Sequence, residues 1–160
     1  MSRLYQTSTD YNLEEFTRFN MIVPLRISKY RPKILAVCYI LMIFSGFLRV
    51  FTEPGTSAFT YLLVVFALPL VLVYVSKRQC KKVYNANPEL QERHSVMSFY
   101  EDHLQETSHH QSVDIPYTSI AHVVETKTHF YLMTANNQGM IIVKQNCSPD
   151  LIRFLQGLKN

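Results

Sequence analysis

The chain has 160 residues, 16 Lys or Arg, 12 Asp or Glu, three Cys and a net charge of +4. The bases cluster: residues 1–33 carry six against three acids, residues 77–82 carry four, and residues 83–160 carry five against eight acids. A nucleic-acid surface needs bases on the folded part, and here they flank apolar segments instead, so no nucleic-acid partner is expected.

The first elements are polar. Arg3 to Thr7 reads as a strand, and Thr9 or Asp10 can cap a short helix through Tyr11, Leu13, Glu14, Phe16 and Phe19. Pro24 marks a break before a basic lead-in ending at Lys33. A cleaved signal peptide is not expected, because the first apolar run begins after about 33 residues and a second follows at once.

Those two runs are Ile34 to Phe51 and Phe59 to Val75. A helix crossing a bilayer core of about 30 Å needs roughly 17–25 residues. Neither run carries the polar stripe of a surface helix, and so small a chain has little mass to cover two such helices if they were buried in a soluble fold. Arg26, Lys29, Arg31 and Lys33 precede the first run, and Lys77, Arg78, Lys81 and Lys82 follow the second. The connector Thr52 to Ala58 holds no base. Basic flanks stay in the cytoplasm, so both ends are expected inside, with a turn at Pro54-Gly55 outside. Arg49 can snorkel to the interface, and Pro69 invites local bending. Cys38, Cys80 and Cys147 show no metal-binding or disulfide spacing.

After Asn87-Pro88 the pattern changes to period two. Strands are expected at His94 to Tyr100, His103 to Ser108, Ser112 to Tyr117, Ser119 to Glu125, Thr128 to Thr134 and Met140 to Gln145, with a turn at Asn136 to Gly139. Glu101-Asp102 reads as a charged hairpin corner, and Lys144 mainly as a solvated strand residue. Ser148, Pro149 and Asp150 are start signals for a helix over 149–158 whose stripe is Leu151, Ile152, Leu155 and Leu158.

The expected fold class is therefore membrane α+β: a transmembrane hairpin (34–51 and 59–75), then a small antiparallel β domain closed by an amphipathic C-terminal helix. The segments are 1–33, 34–75 and 76–160, and residues 83–160 are expected to form a soluble folded domain. The six histidines form no HExxH or spaced ligand set; His109-His110 reads as a surface pair. No nucleophile elbow, phosphate loop or dinucleotide fingerprint is present. No catalytic, cofactor-binding or metal site is named, no cofactor is expected, and an enzyme is not expected.

Ser98-Phe99-Tyr100-Glu101-Asp102, Ile115-Pro116-Tyr117-Thr118-Ser119-Ile120, Val124-Glu125-Thr126, Phe130-Tyr131-Leu132 and Ile141-Ile142-Val143-Lys144 lie in series before the final helix. In this combination the chain resembles the YcxB-like family of bacterial membrane proteins, with Val143 where members often carry proline. The resemblance implies a compact domain related to pleckstrin-homology folds, and it implies no catalytic residues. The expected role is a membrane-anchored, non-enzymatic interaction or regulatory module at the bacterial inner membrane. Its partners would be the bilayer and a protein segment or anionic lipid headgroup on the cytoplasmic face. The alternative is a subunit of an oligomeric small transporter or channel, built around Arg49 and Pro69. Oligomeric state is not legible.

Overall fold

The computed structural model describes residues 3–28, 30–52, 55–91, 93–108, 111–134 and 139–158. The chain opens with strand β1 (Tyr5–Tyr11), helix α1 (Leu13–Ile27) and two long helices, α2 (Arg31–Thr52) and α3 (Thr56–Ala86). Six strands follow: β2 (Arg93–Phe99), β3 (His103–Ser108), β4 (Gln111–Pro116), β5 (Ile120–Glu125), β6 (His129–Thr134) and β7 (Gly139–Val143). Helix α4 (Pro149–Gly157) ends the order.

The N-terminal start differs from expectation. β1 continues through Thr9 and Asp10 to Tyr11, because those residues pair with Ser95 and His94 of β2. The cap passes to Asn12, whose Oδ1 accepts from the Glu15 amide at 2.9 Å. Helix α1 then runs on through Pro24 to Ile27. The last helix starts as expected, with Ser148 Oγ accepting from the Leu151 amide and Pro149 in the first turn.

The strands form two antiparallel sheets, ordered β1-β2-β3-β4 and β5-β6-β7. The sheets face each other across one core of Met97, Phe99, Leu104, Phe130, Leu132 and Ile142. Leu151 and Leu155 of α4, both fully buried, complete that core. Phe154 closes its edge by aromatic contacts with Tyr5, Phe99 and Tyr117 at ring distances of 5.7–6.1 Å.

A second apolar layer lies on the other face of β5-β6-β7. Phe19, Ile22, Val23 and Ile27 of α1 pack there against Val124, Tyr131, Met133 and Ile141. This explains why β6 is buried along nearly its whole length rather than at alternate residues. The approach is close enough that a Cβ on Gly139 would run into the Phe19 ring, which would have to shift to admit it.

β1 and α1 are therefore parts of the β domain, although α2 and α3 separate them from β2 in sequence. The expectation that residues 83–160 fold alone changes accordingly: that segment lacks one edge strand and the cover of the second sheet. Lys144 is also corrected. It lies in a 3-10 turn, with Nζ 2.6 Å from Glu125 Oε1 and 4.5 Å from the centre of the Phe130 ring. It is thus a packed cation, not a solvated strand residue.

The long helices pack as a hairpin. At about 1.5 Å per residue, the 22 residues of α2 span roughly 33 Å and the 31 of α3 roughly 46 Å. Gly46 lets them touch: a Cβ there would meet Leu62 at 2.5 Å. Tyr39 Oη donates to the Val65 carbonyl at 3.3 Å, and Ser45 Oγ lies 3.0 Å from Tyr61 Oη. Arg49 rests over the Tyr61 ring at 5.3 Å. α3 continues unbroken through Pro69, beyond the apolar run, and its end is fixed to the β domain. There Tyr84 Oη donates to the Tyr11 carbonyl at 3.3 Å and the Tyr84 ring meets Phe16 at 5.9 Å. The expected turns at Pro54-Gly55 and Asn136 to Gly139 fall largely outside the described residues.

Candidate functional site

The largest concentration of polar chemistry lies where α1 crosses β6. Helical spacing puts Glu15 and Arg18 on one face. That face meets His129, which β6 holds only 2% exposed. Arg18 Nη1 lies 3.3 Å and Thr128 Oγ1 2.7 Å from His129 Nδ1. Arg18 Nη1 also lies 3.5 Å from Nε2, so the guanidinium spans both ring nitrogens. Nε2 faces Glu15 Oε2 at 2.9 Å, an ion-pair distance without the alignment of a hydrogen bond. Arg18 Nη2 also donates to Glu14 Oε1 at 2.7 Å. The Thr126 hydroxyl pins the start of the strand, accepting from the His129 amide at 3.0 Å.

Tyr131 sits behind this cluster, its ring parallel to the His129 ring at 5.7 Å. Its hydroxyl is buried with no hydrogen-bond partner among the described residues. Burial, reinforced by the Glu15 charge, pushes the phenol up to about 12. The arrangement cross-links helix α1 to strand β6 through Glu15, Arg18 and His129.

Beside the cluster is an open cleft of about 780 Å³ between α1, the first turn of α2 and the β5–β6 turn. Met21, Ile22, Leu25 and Pro32 make its walls apolar. Arg18, Arg26 and Lys127 supply its charge, and no acid lines it among the described residues. Arg18 is held by Glu14 and Glu15, whereas Arg26 and Lys127 form no ion pair among the described residues. A second groove of about 340 Å³ shares Leu25 and runs on past Pro24 and Arg31 to Ile34 and Leu35. The site thus presents two uncommitted cations above an apolar track along α2.

The residues singled out in the sequence are dispersed. His94 pairs with Asp10 at 2.5 Å and His103 with Asp102 at 2.6 Å, both near the surface. The His103 hydrogen bond holds the Asp102 carboxyl below its ordinary value. Glu101 is exposed beside it, and His122 is exposed on β5. His109-His110 lies outside the described residues. Among the described residues, no three His, Cys, Asp or Glu side chains converge as a metal site. All three cysteines are free; burial pushes the Cys147 thiol up, near Thr7 Oγ1 at 3.6 Å.

Sequence reasoning missed both the buried cluster and the cleft. One signal was available: the apolar run Phe130 to Met133 extends the pattern on both faces of β6, which requires a cover on each side. His129 then needs a polar partner from that cover.

The family model described as YcxB-like protein matches residues 99–158, which is the stretch from the end of β2 through α4. Neither a curated protein nor a solved structure matches the chain. The chain therefore carries a YcxB-like domain at residues 99–158, in company with two helices long and apolar enough to cross a membrane.

Proposed function

We propose that this protein is a membrane-anchored, non-enzymatic interaction or regulatory module. Its hairpin holds a small β domain at the cytoplasmic face of the bacterial inner membrane, and both chain ends lie inside. The observation that carries this reading is the exposure of the two apolar helices. Only 6% of the most apolar stretch of α2 and 11% of that of α3 are buried, so lipid is the natural cover for the rest.

Charge and length support the same reading. α3 is about 15 Å longer than a bilayer core of roughly 30 Å. The excess carries Lys77, Arg78, Lys81 and Lys82 and ends where Tyr84 holds the β domain. This geometry suits a basic collar at the anionic inner leaflet, worth about 1 kcal/mol per well-placed base. The four-strand and three-strand sheets with a sealing C-terminal helix favour a pleckstrin-homology-like domain, a scaffold suited to binding a headgroup or a peptide.

Membrane fractionation tests the anchor. The full chain should stay with membranes through alkaline carbonate extraction, while a variant with residues 29–82 replaced by a flexible linker should appear in the soluble fraction. Release of the intact chain by carbonate would refute the proposal.

A further inference from the structure

We propose that the cleft between α1, the start of α2 and the β5–β6 turn binds a single anionic phospholipid, with its phosphate at Arg26, Arg31 and Lys127 and an acyl chain along Leu25, Ile34 and Leu35. The inference rests on the membrane reading of the hairpin and adds a specific site to it.

Three observations converge. The first is charge: Arg26 and Lys127 line a cleft that no described acid shares, and Arg31 lines the continuing groove. None of the three forms an ion pair among the described residues. The second is shape. The cleft of about 780 Å³ and a groove of about 340 Å³ share Leu25 as a wall, so an apolar-walled cleft rimmed by cations adjoins an apolar groove. The third is position. The groove follows the first turns of α2, where the polar lead-in gives way to the apolar run, the depth at which a lipid changes from headgroup to chain.

These features select an amphiphilic anion. A free phosphate would satisfy the cations and make no use of the apolar groove at Leu25, Ile34 and Leu35. A zwitterionic lipid would bring its own ammonium into a chamber that already holds uncompensated positive charge. A phosphatidylglycerol-type lipid satisfies both halves. Arg18 and the buried His129 cluster would act as a positioning element. They fix the face of α1 from which Arg26 projects two turns further along.

Native mass spectrometry of the full chain in detergent tests the site. Dioleoylphosphatidylglycerol, dioleoylphosphatidylcholine and glycerol phosphate are titrated separately, alongside the carbonate-extraction assay. One retained phosphatidylglycerol per chain is expected, with at least tenfold preference over phosphatidylcholine and no displacement by millimolar glycerol phosphate. The triple variant R26Q/R31Q/K127Q should lose that preference while remaining in the membrane fraction. K77Q/K81Q/K82Q, which removes equal charge from the far collar, should keep it. Equal retention of both lipids by the unmodified chain would overturn the inference, as would a triple variant that binds like the unmodified chain. Equal weakening by the collar variant would show diffuse attraction rather than a site, and displacement by glycerol phosphate would show a soluble ligand; either overturns it. Failure of these arms with membrane retention intact refutes only this inference, whereas release by carbonate refutes the anchored reading itself.

Discussion

Deleting residues 3–28 should unfold the β domain, although the deleted segment lies far from it in sequence. The structure supplies the magnitude. Phe19, Ile22, Val23 and Ile27 pack on the outer face of β5-β6-β7. Val23 is buried and the other three are partly buried, so at roughly 1.5–3 kcal/mol for full burial and about half that for partial burial their loss removes about 4–8 kcal/mol. The β1–β2 ladder from Tyr5↔Phe99 to Tyr11↔Arg93 is lost as well. A small domain has only about 5–15 kcal/mol in total. Residues 83–158 alone should therefore aggregate or show no cooperative transition in urea followed by circular dichroism. Joining residues 3–28 to 83–158 should restore folding. α1 spans about 22 Å and begins near Tyr84, and a Gly/Ser linker of about 14 residues has a root-mean-square reach of about 20 Å, enough for the return. If residues 83–158 unfold cooperatively with the midpoint of the linked protein, the claim that β1 and α1 belong to the domain is wrong.

Other outcomes follow from single contacts. Gly139→Ala drives a Cβ into Phe19 and should cost about 1–3 kcal/mol, read as a lowered urea midpoint of the linked domain. Tyr131→Phe removes a buried hydroxyl with no described partner and should raise that midpoint, by about 1 kcal/mol. The phenols of Tyr11 and Tyr131 are raised from 10 to about 12, so the folded state holds these protons more tightly than the unfolded chain. Their contribution is complete below pH 10 and declines as pH rises toward 12, so alkaline urea titrations should show falling stability in that window, with a shallower fall in Tyr131→Phe. In the hairpin, Gly46→Leu should force α2 from α3 at Leu62, lengthening the spin-label distance between the helices in micelles, while Gly46→Ala produces a smaller change.

Much of this architecture is visible in the residues because the relevant physics is local. The strands announce themselves by β-branched and aromatic residues, alternating with polar ones in the earlier strands and in continuous apolar runs in β6 and β7, and α4 by Ser148, Pro149 and its Leu stripe. What was not legible depends on distant partners. Thr9 and Asp10 have the chemistry of a helix cap, but pairing with β2, more than 80 residues away, keeps them in a strand and hands the cap to Asn12. Lys144 reads as a surface base until Glu125 and Phe130 are brought beside it. The cleft is assembled from α1, α2 and the β5–β6 turn, segments about 100 residues apart. Arg26 reads in the sequence only as part of the basic flank and Lys127 carries no signal, and only the fold makes them neighbours.

The central claim is that the hairpin spans the membrane with the β domain inside. Accessibility of single cysteines to a membrane-impermeant maleimide tests it most directly. With the other cysteines replaced by serine, Ser57→Cys in the exposed first turn of α3 should label in intact spheroplasts. Cys80, on the extension of α3 toward the β domain, should label only after lysis. Labelling of Cys80 from outside, or protection of Ser57→Cys until lysis, would contradict the account.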